Sequence, residues 1–180
     1  MLGMAVDRDT DFVAQLGTAF VAHRLRRLAE LFVEGNSRWL PEAGVTAPAR
    51  SLSTLLLLAG VKDAGVTEIA SRLRLSHPFM IKAVARLEEE GLVETSADSS
   101  DARRRPVRLT AKGRAEVDRI RQALRALEGA YRELFEETGF DLAEAVARTE
   151  DACLREPFDR RLRRAAQAIE KEEEMSCDAS

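Results

Sequence analysis

The stretch that decides the fold is VTEIASRLRLSHPFMIKAVARLEEEGLVET, residues 66–95. Its first part predicts a short helix over residues 66–73, with Thr67 as N-cap because a threonine hydroxyl can accept from free N–H groups of the first turn. A two-residue turn follows. Ser76 then predicts the N-cap of a second helix, which tolerates Pro78 in its first turn because no helical hydrogen bond is lost there. The pattern therefore indicates a helix-turn-helix.

A β-hairpin with a charged loop is predicted directly after the second helix. Residues 92–95 and 106–109 alternate or nearly alternate between apolar and polar side chains, which indicates two short strands. The loop between them carries three consecutive arginines, Arg103, Arg104 and Arg105. Residues 66–110 contain eight Lys and Arg against seven Asp and Glu, a balance of +1, whereas the whole chain has a formal charge of −3. Positive charge is thus focused at the tip of the hairpin.

The segment before this unit predicts one long helix and one short helix. From Asp11 to Glu34 apolar residues recur at spacings of three, four and their sums, which indicates a single amphipathic helix. Glycines and prolines then predict a loop over residues 35–50 that carries Trp39, the only tryptophan. A shorter apolar helix follows over residues 52–58.

The segment after the hairpin predicts three helices. Thr110 is suited to cap the first, whose apolar seam over residues 117–134 we expect to contact a partner helix. Asp141 is suited to cap the second, and Pro157 opens the third. The acidic tail beyond Glu170 is expected to fray.

Composition excludes several classes of protein. The chain has 180 residues, of which 45% are hydrophobic and 5% aromatic, as in largely helical globular proteins. No apolar stretch approaches the roughly 18 residues that a membrane span needs, and the N-terminus lacks signal-peptide order, so we expect a cytoplasmic protein without membrane contact.

The chain has few residues suited to disulfide formation, metal binding or catalysis. Two cysteines, Cys153 and Cys177, and two histidines predict neither a disulfide framework nor a metal site. Cys153 is expected to be a small buried hydrophobic residue. No nucleophile with a base at usable spacing, no phosphate-binding glycine loop and no distinctive carboxylate pair is present, so we expect no enzyme and no cofactor.

A helix-turn-helix followed by a basic hairpin matches the dimensions of B-DNA. An α-helix fits the major groove, about 12 Å wide, and the narrow minor groove attracts arginine. We expect the second helix, here called the reader helix, to enter the major groove. Periodicity places Leu87 with one or both of Met80 and Val84 on the core face. The outward side chains are then His77, Lys82 and Arg86, with Phe79, Ile81 or Ala83 between them.

Four segments together resemble one known family, the MarR-type regulators. They are LSHPFMIK (75–82), RLEEEGLV (86–93), DSSDARR (98–104) and VRLTAKG (107–113). The resemblance is specific over residues 52–116, and the D-x-x-D-x-R pattern of the hairpin loop discriminates it best from other winged-helix families.

The resemblance implies a fold and a division of the chain. The fold class is mainly α with a small β-hairpin wing: a winged helix-turn-helix with long N- and C-terminal dimerisation helices. Residues 1–50 would form an N-terminal helix and loop for dimerisation, residues 51–110 the DNA-binding domain, and residues 111–180 the C-terminal dimerisation helices with an acidic tail.

The resemblance also implies roles for single residues. Arg103 would enter the minor groove at the tip of the wing, and Asp101 would position the wing through an ion pair, with Asp98 beside it. Each homodimer would present two reader helices to a pseudo-palindromic site on double-stranded DNA. The full set of expected DNA-contacting residues is Thr67, Ser76, His77, Pro78, Phe79, Ile81, Lys82, Arg86, Arg103, Arg104 and Arg105.

The chain departs from the family pattern in its reader helix and in its length. Phe79 and Ile81 stand where the family more often has small or hydroxylated residues, so its base preferences do not transfer, and contact with thymine methyl groups becomes an option. The chain also extends beyond a minimal family member from about Phe140, either to enlarge the dimer interface or to form a ligand cavity.

The predicted function is a homodimeric repressor released from its operator by a small aromatic or anionic effector. Phe20, His23 and Trp39 are candidates to line the effector pocket, although Trp39 could instead pack under its loop. The alternative function is a winged helix used as a protein-interaction module without sequence-specific DNA binding. Two local alternatives also stay open: Phe79 as a core residue, and the arginines of residues 155–164 as a solvated face rather than a DNA contact.

Overall fold

The computed structural model describes residues 11–96 and 106–178. The helices are α1 (Phe12–Gln15), α2 (Val21–Trp39), α3 (Leu52–Ala59), α4 (Val66–Leu73), α5 (His77–Glu89), α6 (Ala111–Thr138), α7 (Leu142–Arg155) and α8 (Phe158–Asp178). Short 3₁₀ turns cover Gly17–Phe20 and Ala49–Ser51, and the strands are β1 (Ala64–Gly65), β2 (Val93–Thr95) and β3 (Pro106–Leu109). The predicted fold class, mainly α with a β-hairpin wing, is confirmed.

The chain divides into two compact units, Met1–Ala126 and Leu127–Ser180. The division falls inside the sequence of α6. The first unit holds the helix-turn-helix, the sheet and an apolar core that includes Leu55, Ile69, Met80 and Ile120, each fully buried.

The prediction of one helix from Asp11 to Glu34 is wrong. Gly17 adopts a positive φ of 68°, which interrupts the helix, so α2 begins only at Val21. Asp11 instead caps α1, accepting from the N–H of Val13 at 3.1 Å, and forms an ion pair with Arg27 of α2 at 2.8 Å. The hydrogen bond from Arg27 is the main reason why the pKa of Asp11 is lowered.

The placement of Trp39 in a loop is also wrong. Helix α2 continues through Gly35 and Asn36 and ends at Trp39, which packs half-buried against the core. The next residue, Leu40, is 1% exposed. Burial of these two apolar side chains outweighs the low helix propensity of the residues before them, since tertiary packing commonly overrides propensity.

The sheet has three antiparallel strands in the order β1-β3-β2. Val93 pairs with Leu109 and Thr95 with Val107, as the predicted hairpin requires. Strand β1 was not predicted: its two residues pair with Val107 and Pro106, and so short a strand has no alternation to detect.

Three of the four predicted helix caps are confirmed. Ser76, Thr110 and Asp141 accept from backbone N–H groups three residues ahead, at 3.3, 3.0 and 2.9 Å. The prediction for Thr67 is wrong, because α4 already begins at Val66 and its N-cap residue is Gly65, without a side-chain cap.

The start of α6 approaches the end of the reader helix α5 unusually closely. Thr110 donates from its N–H to the carbonyl of Leu92 at 3.1 Å and from its hydroxyl to the carbonyl of Gly91 at 2.7 Å. Lys112 reaches the carbonyl of Glu90 at 2.6 Å. One turn into α6, a Cβ added to Gly113 would lie 1.9 Å from the carbonyl oxygen of Leu92. Only glycine fits this junction, which explains why the segment VRLTAKG (107–113) ends in glycine.

Gly113→Ala is therefore expected to lower the free energy of unfolding by about 3 kcal/mol or more, because backbone on both sides must move to relieve the overlap. Denaturant-induced unfolding followed by circular dichroism measures the change.

Gly129→Ala is the matched control. Gly129 also lies within α6, but no atom lies within 4 Å of an added Cβ. Alanine should there raise the stability by up to about 1 kcal/mol through helix propensity. Equal denaturant midpoints of unfolding for Gly113→Ala and the parent chain would contradict the close approach of Gly113 to the carbonyl of Leu92.

A buried carboxylate fixes the segment before α3 to α6. The side chain of Glu116 is fully buried and accepts from the N–H groups of Thr46 and Ala47, the latter at 2.7 Å, and from the Thr46 hydroxyl at 3.1 Å. Its other oxygen accepts from Arg119, whose Nε lies 3.0 Å away. Burial raises the pKa of Glu116, but the hydrogen bonds from Arg119, Ala47 and Thr46 together outweigh it and hold the pKa below its usual 4.5.

Glu116→Gln should lower the free energy of unfolding by about 1–3 kcal/mol at pH 7, because the amide cannot satisfy all these donors. The folded chain binds the proton less readily than the unfolded chain. The contribution of the carboxylate is therefore present above about pH 4.5 and is lost as the pH falls through the folded-state pKa.

Urea unfolding of parent and variant between pH 7 and pH 3 should thus show two stabilities that converge on acidification. The control is Glu144→Gln, at an exposed carboxylate that pairs with Arg148 one turn along α7, where the change should stay below about 0.5 kcal/mol. A Glu116→Gln deficit that persists undiminished at pH 3 would contradict the assignment.

The prediction that the apolar seam of α6 contacts a partner helix is wrong for the first half of the seam. Val117, Ile120 and Ala123 are buried in the chain's own core. In the second unit, by contrast, Tyr131 and Phe135 stack with ring centroids 6.2 Å apart and remain half-buried.

The second unit corrects two further expectations. Cys153 is exposed rather than buried, and α7 has no buried residue on any of its faces. Helix α8 continues to Asp178, so the acidic tail does not fray at Glu170, and charged side chains with high helix propensity explain its length. The arginines of α8 pair with carboxylates, Arg164 and Arg161 with Glu156, which agrees with a solvated face.

Within the described segments no helix contains a stretch both long and apolar enough to cross a lipid bilayer. The same segments hold no group of three or more His, Cys, Asp or Glu side chains suited to a metal ion.

Candidate nucleic-acid interface

The reader helix α5 has one buried face and one exposed face. Met80, Val84 and Leu87 are at most 4% exposed and pack into the core, as the spacing of four and three predicted. The side chains on the remaining surface of its first three turns are exposed: His77, Pro78, Phe79, Ile81, Lys82, Ala85 and Arg86.

The interpretation of Phe79 as a core residue is wrong. Phe79 is 36% exposed and Ile81 is 50% exposed. At 100° per residue, Pro78 and Lys82 lie opposite the buried face, while Phe79 and Ile81 lie about 80° to either side of that ridge. The two apolar residues therefore flank a ridge that carries the charge of Lys82.

The N-terminus of the reader helix is fixed to α4. Ser76 accepts from the N–H of Phe79 at 3.3 Å, which holds the first turn in place. The Nδ1 atom of His77 lies 3.5 Å from the hydroxyl of Thr67, so two predicted DNA-contacting residues stand side by side. A helix N-terminus carries partial positive charge, which suits a phosphate.

The cations of this surface differ in their partners. Arg86 is bound on its own helix, with Nε 2.8 Å from Glu90 and NH1 3.7 Å from Glu89. Lys82 is exposed, and among the described residues its ammonium has no ion-pair partner. Its charge is therefore directed at solvent.

Sequence reasoning missed Arg74, in the turn between α4 and α5. Its backbone is left-handed, with φ 53° and ψ 38°, and it is the one non-glycine residue with positive φ in the described segments. Glycine and asparagine favour this conformation, and other residues pay roughly 1 kcal/mol for it. Arg74 is exposed, two residues before the N-cap of the reader helix, without an ion pair among the described residues. The signal available in the sequence was the position of Arg74 directly after a predicted helix, where the backbone is often left-handed and glycine is the usual residue.

The root of the wing is attached to the reader helix, whereas its tip lies outside the described residues. Glu88 of α5 accepts from the N–H and hydroxyl of Thr95 in β2, at 3.1 and 2.6 Å. At the base of the loop Ser96 donates to the carbonyl of Pro106 at 3.2 Å. The predicted wing residues Asp98, Asp101, Arg103, Arg104 and Arg105 all fall in the undescribed segment, and their roles stay predictions.

The three effector candidates do not come together within the chain. Phe20 is exposed at the end of the 3₁₀ turn before α2, His23 is exposed in the first turn of α2, and Trp39 ends that helix. At 1.5 Å per residue Trp39 lies about 24 Å from His23 along the helix. An open cleft of about 530 Å³ beside α1 and α2 is lined by other residues, including Thr18, Arg24 and Leu28.

A sequence model of the MarR family matches residues 43–104, the segment that contains the helix-turn-helix and most of the wing. Solved structures of transcriptional regulators superpose on most of the chain. Residues 43–104 therefore carry the winged helix-turn-helix of the MarR family.

Two similar solved structures contain DNA. The transcriptional regulator MosR of M. tuberculosis, solved in complex with DNA, is 25% identical; the match covers 73% of this chain and 94% of MosR with a TM-score of 0.58. The transcriptional repressor CouR of Rhodococcus jostii, bound to a 23-mer duplex, is also 25% identical over 74% of this chain and 91% of CouR, with a TM-score of 0.57.

A third structure shares the fold. PcaV of Streptomyces coelicolor, a transcriptional regulator solved with its natural ligand, is 21% identical, and the match covers 84% of this chain and 99% of PcaV with a TM-score of 0.57. No curated protein matches the chain by sequence.

Proposed function

We propose that the protein is a homodimeric transcriptional regulator that binds double-stranded DNA through the reader helix and the wing. The observation that carries the proposal is the exposed first three turns of α5, fixed by Ser76 at one end and tied to the root of the wing by Glu88 at the other. The MarR family consists of transcriptional regulators, and the likeness to MosR and CouR on DNA supports this use of the surface.

In the proposed complex the reader helix occupies the major groove. Lys82 faces the DNA, the N-terminal turn with Ser76 and His77 meets a phosphate, and Arg74 contacts the flanking backbone. Arg103 and its two arginine neighbours enter the minor groove, with Asp98 and Asp101 positioning the wing.

The homodimer is proposed from the apolar surface of the N-terminal helices. Exposed apolar side chains of large size cluster along the described part of α1, the 3₁₀ turn and α2: Phe12, Phe20, Val21, Leu25 and Leu31. A second copy would remove this surface from water, and two-fold symmetry would match a pseudo-palindromic operator. We propose that the regulator represses.

An anionic or aromatic effector is the remaining part of the proposal. The cleft beside α1 and α2 is large enough for a small molecule, and Arg24 on its wall has no ion-pair partner among the described residues. Val21, Leu25 and Leu31 of the proposed dimer surface also line this cleft. A carboxylate bound there would lie at the dimer interface, where it could change the spacing of the two reader helices.

Selection from randomised duplexes on the purified protein tests the function. A pseudo-palindrome should be enriched, and its affinity should fall steeply with salt, with log K decreasing by about 0.9 per log unit of salt for each phosphate contacted. A scrambled duplex of equal length is the control. No binding to any duplex at low salt would contradict the proposal and favour a protein-interaction module.

Arg74→Gly should separate DNA binding from stability. Glycine removes the left-handed strain, so the free energy of unfolding should rise by about 0.5–1 kcal/mol. Loss of one phosphate contact should at the same time weaken binding to all duplexes and reduce the salt slope by about 1. Thermal unfolding and fluorescence anisotropy measure the two effects.

Arg74→Lys, which keeps both charge and strain, is the matched control and should resemble the parent protein in both measurements. A glycine variant that binds DNA as tightly as the parent would remove Arg74 from the interface.

A further inference from the structure

The exposed start of the reader helix carries few side chains that read bases by hydrogen bonds. Residues 77–83, all of which the structure describes, include no Arg, Asn or Gln. Lys82 can donate to guanine, and His77 can make one hydrogen bond. Pro78, Phe79 and Ile81 can recognise only an apolar group. The apolar group that base pairs present in the major groove is the C5 methyl of thymine.

We propose that Phe79 and Ile81 read thymine methyl groups in the two halves of the operator. This inference rests on the proposed DNA binding and states how the reader helix selects the DNA sequence that it binds. A half-site would therefore carry thymines at the positions that face the two flanks of the reader helix.

The placement of the two side chains supports this role. The core beneath α5 is already filled by Met80, Val84 and Leu87, so neither Phe79 nor Ile81 is needed there. They lie on opposite flanks of the Lys82 ridge, each at least one-third exposed. A helix seated in the major groove has base edges along both flanks, so each apolar residue can meet a different base pair.

The fixed backbone at Phe79 and the branched side chain of Ile81 make the contact selective. The N–H of Phe79 is bound to Ser76, which fixes its backbone at the helix start. Isoleucine has one strongly preferred χ1 rotamer in a helix, so Ile81 is held in one orientation. Little freedom of the Ile81 side chain is therefore lost on binding, so the burial of a methyl group against it contributes to affinity almost undiminished.

Replacement of thymine by deoxyuridine tests the inference, because it removes only the methyl group. On the selected duplex, substitution at one or more positions of each half-site should weaken binding of the parent protein about three- to five-fold per methyl group. For Phe79→Ala or Ile81→Ala, the thymine and deoxyuridine duplexes at the corresponding position should bind equally well.

Lys82→Ala is the control on the same helix. It should weaken binding to the thymine and deoxyuridine duplexes by the same factor, because its partner is a phosphate or a purine edge rather than a methyl group. Thermal unfolding of each variant verifies that the alanine substitutions at these exposed positions leave the fold intact.

The outcomes distinguish the inference from the function beneath it. Specific binding that is insensitive to deoxyuridine at every position would overturn methyl readout while leaving DNA binding in place. A deoxyuridine penalty that persists unchanged in both alanine variants would assign the methyl contacts to other residues and overturn the roles of Phe79 and Ile81. Absence of binding to all duplexes at low salt would overturn both the function and the inference.

Discussion

The carbonyl oxygen of Leu92 is where the DNA-binding surface and the long helix α6 meet. It accepts from Thr110, and it lies so close to Gly113 that no side chain fits between them. Leu92 lies three residues after the end of the reader helix and directly before strand β2. The reader helix, the wing root and α6 thus share one small region of backbone, and the position of each determines that of the others.

A second attachment acts from the opposite side of the core. Glu116 holds the backbone of Thr46 and Ala47 against α6 through a carboxylate that is fully shielded from water. Because its oxygens accept several hydrogen bonds, the carboxylate stays ionised despite burial. An apolar residue of equal size would leave two backbone N–H groups without partners, which explains why a charge is placed inside this unit.

The sequence allowed prediction of the parts of the fold that depend on neighbouring residues. Ser76, Thr110 and Asp141 were identified as caps because a capping side chain acts within three residues. Features that depend on distant packing were missed. Trp39 extends α2 because the core receives it, β1 exists because β3 offers it a partner, and Val117 enters the chain's own core rather than a dimer seam. At the interface, periodicity placed Met80, Val84 and Leu87 correctly, but the exposure of Phe79 and the left-handed turn at Arg74 depend on three-dimensional context.

The junction at Gly113 also has a mechanical consequence. Because the end of α5 and the start of α6 are joined by backbone hydrogen bonds without space for a side chain, this junction has no hinge. The first turns of α6 and the reader helix therefore rotate as one lever. In the proposed dimer, both reader helices bind only when the distance between them matches one turn of the double helix, about 34–36 Å. A change in that distance therefore releases both reader helices from DNA together.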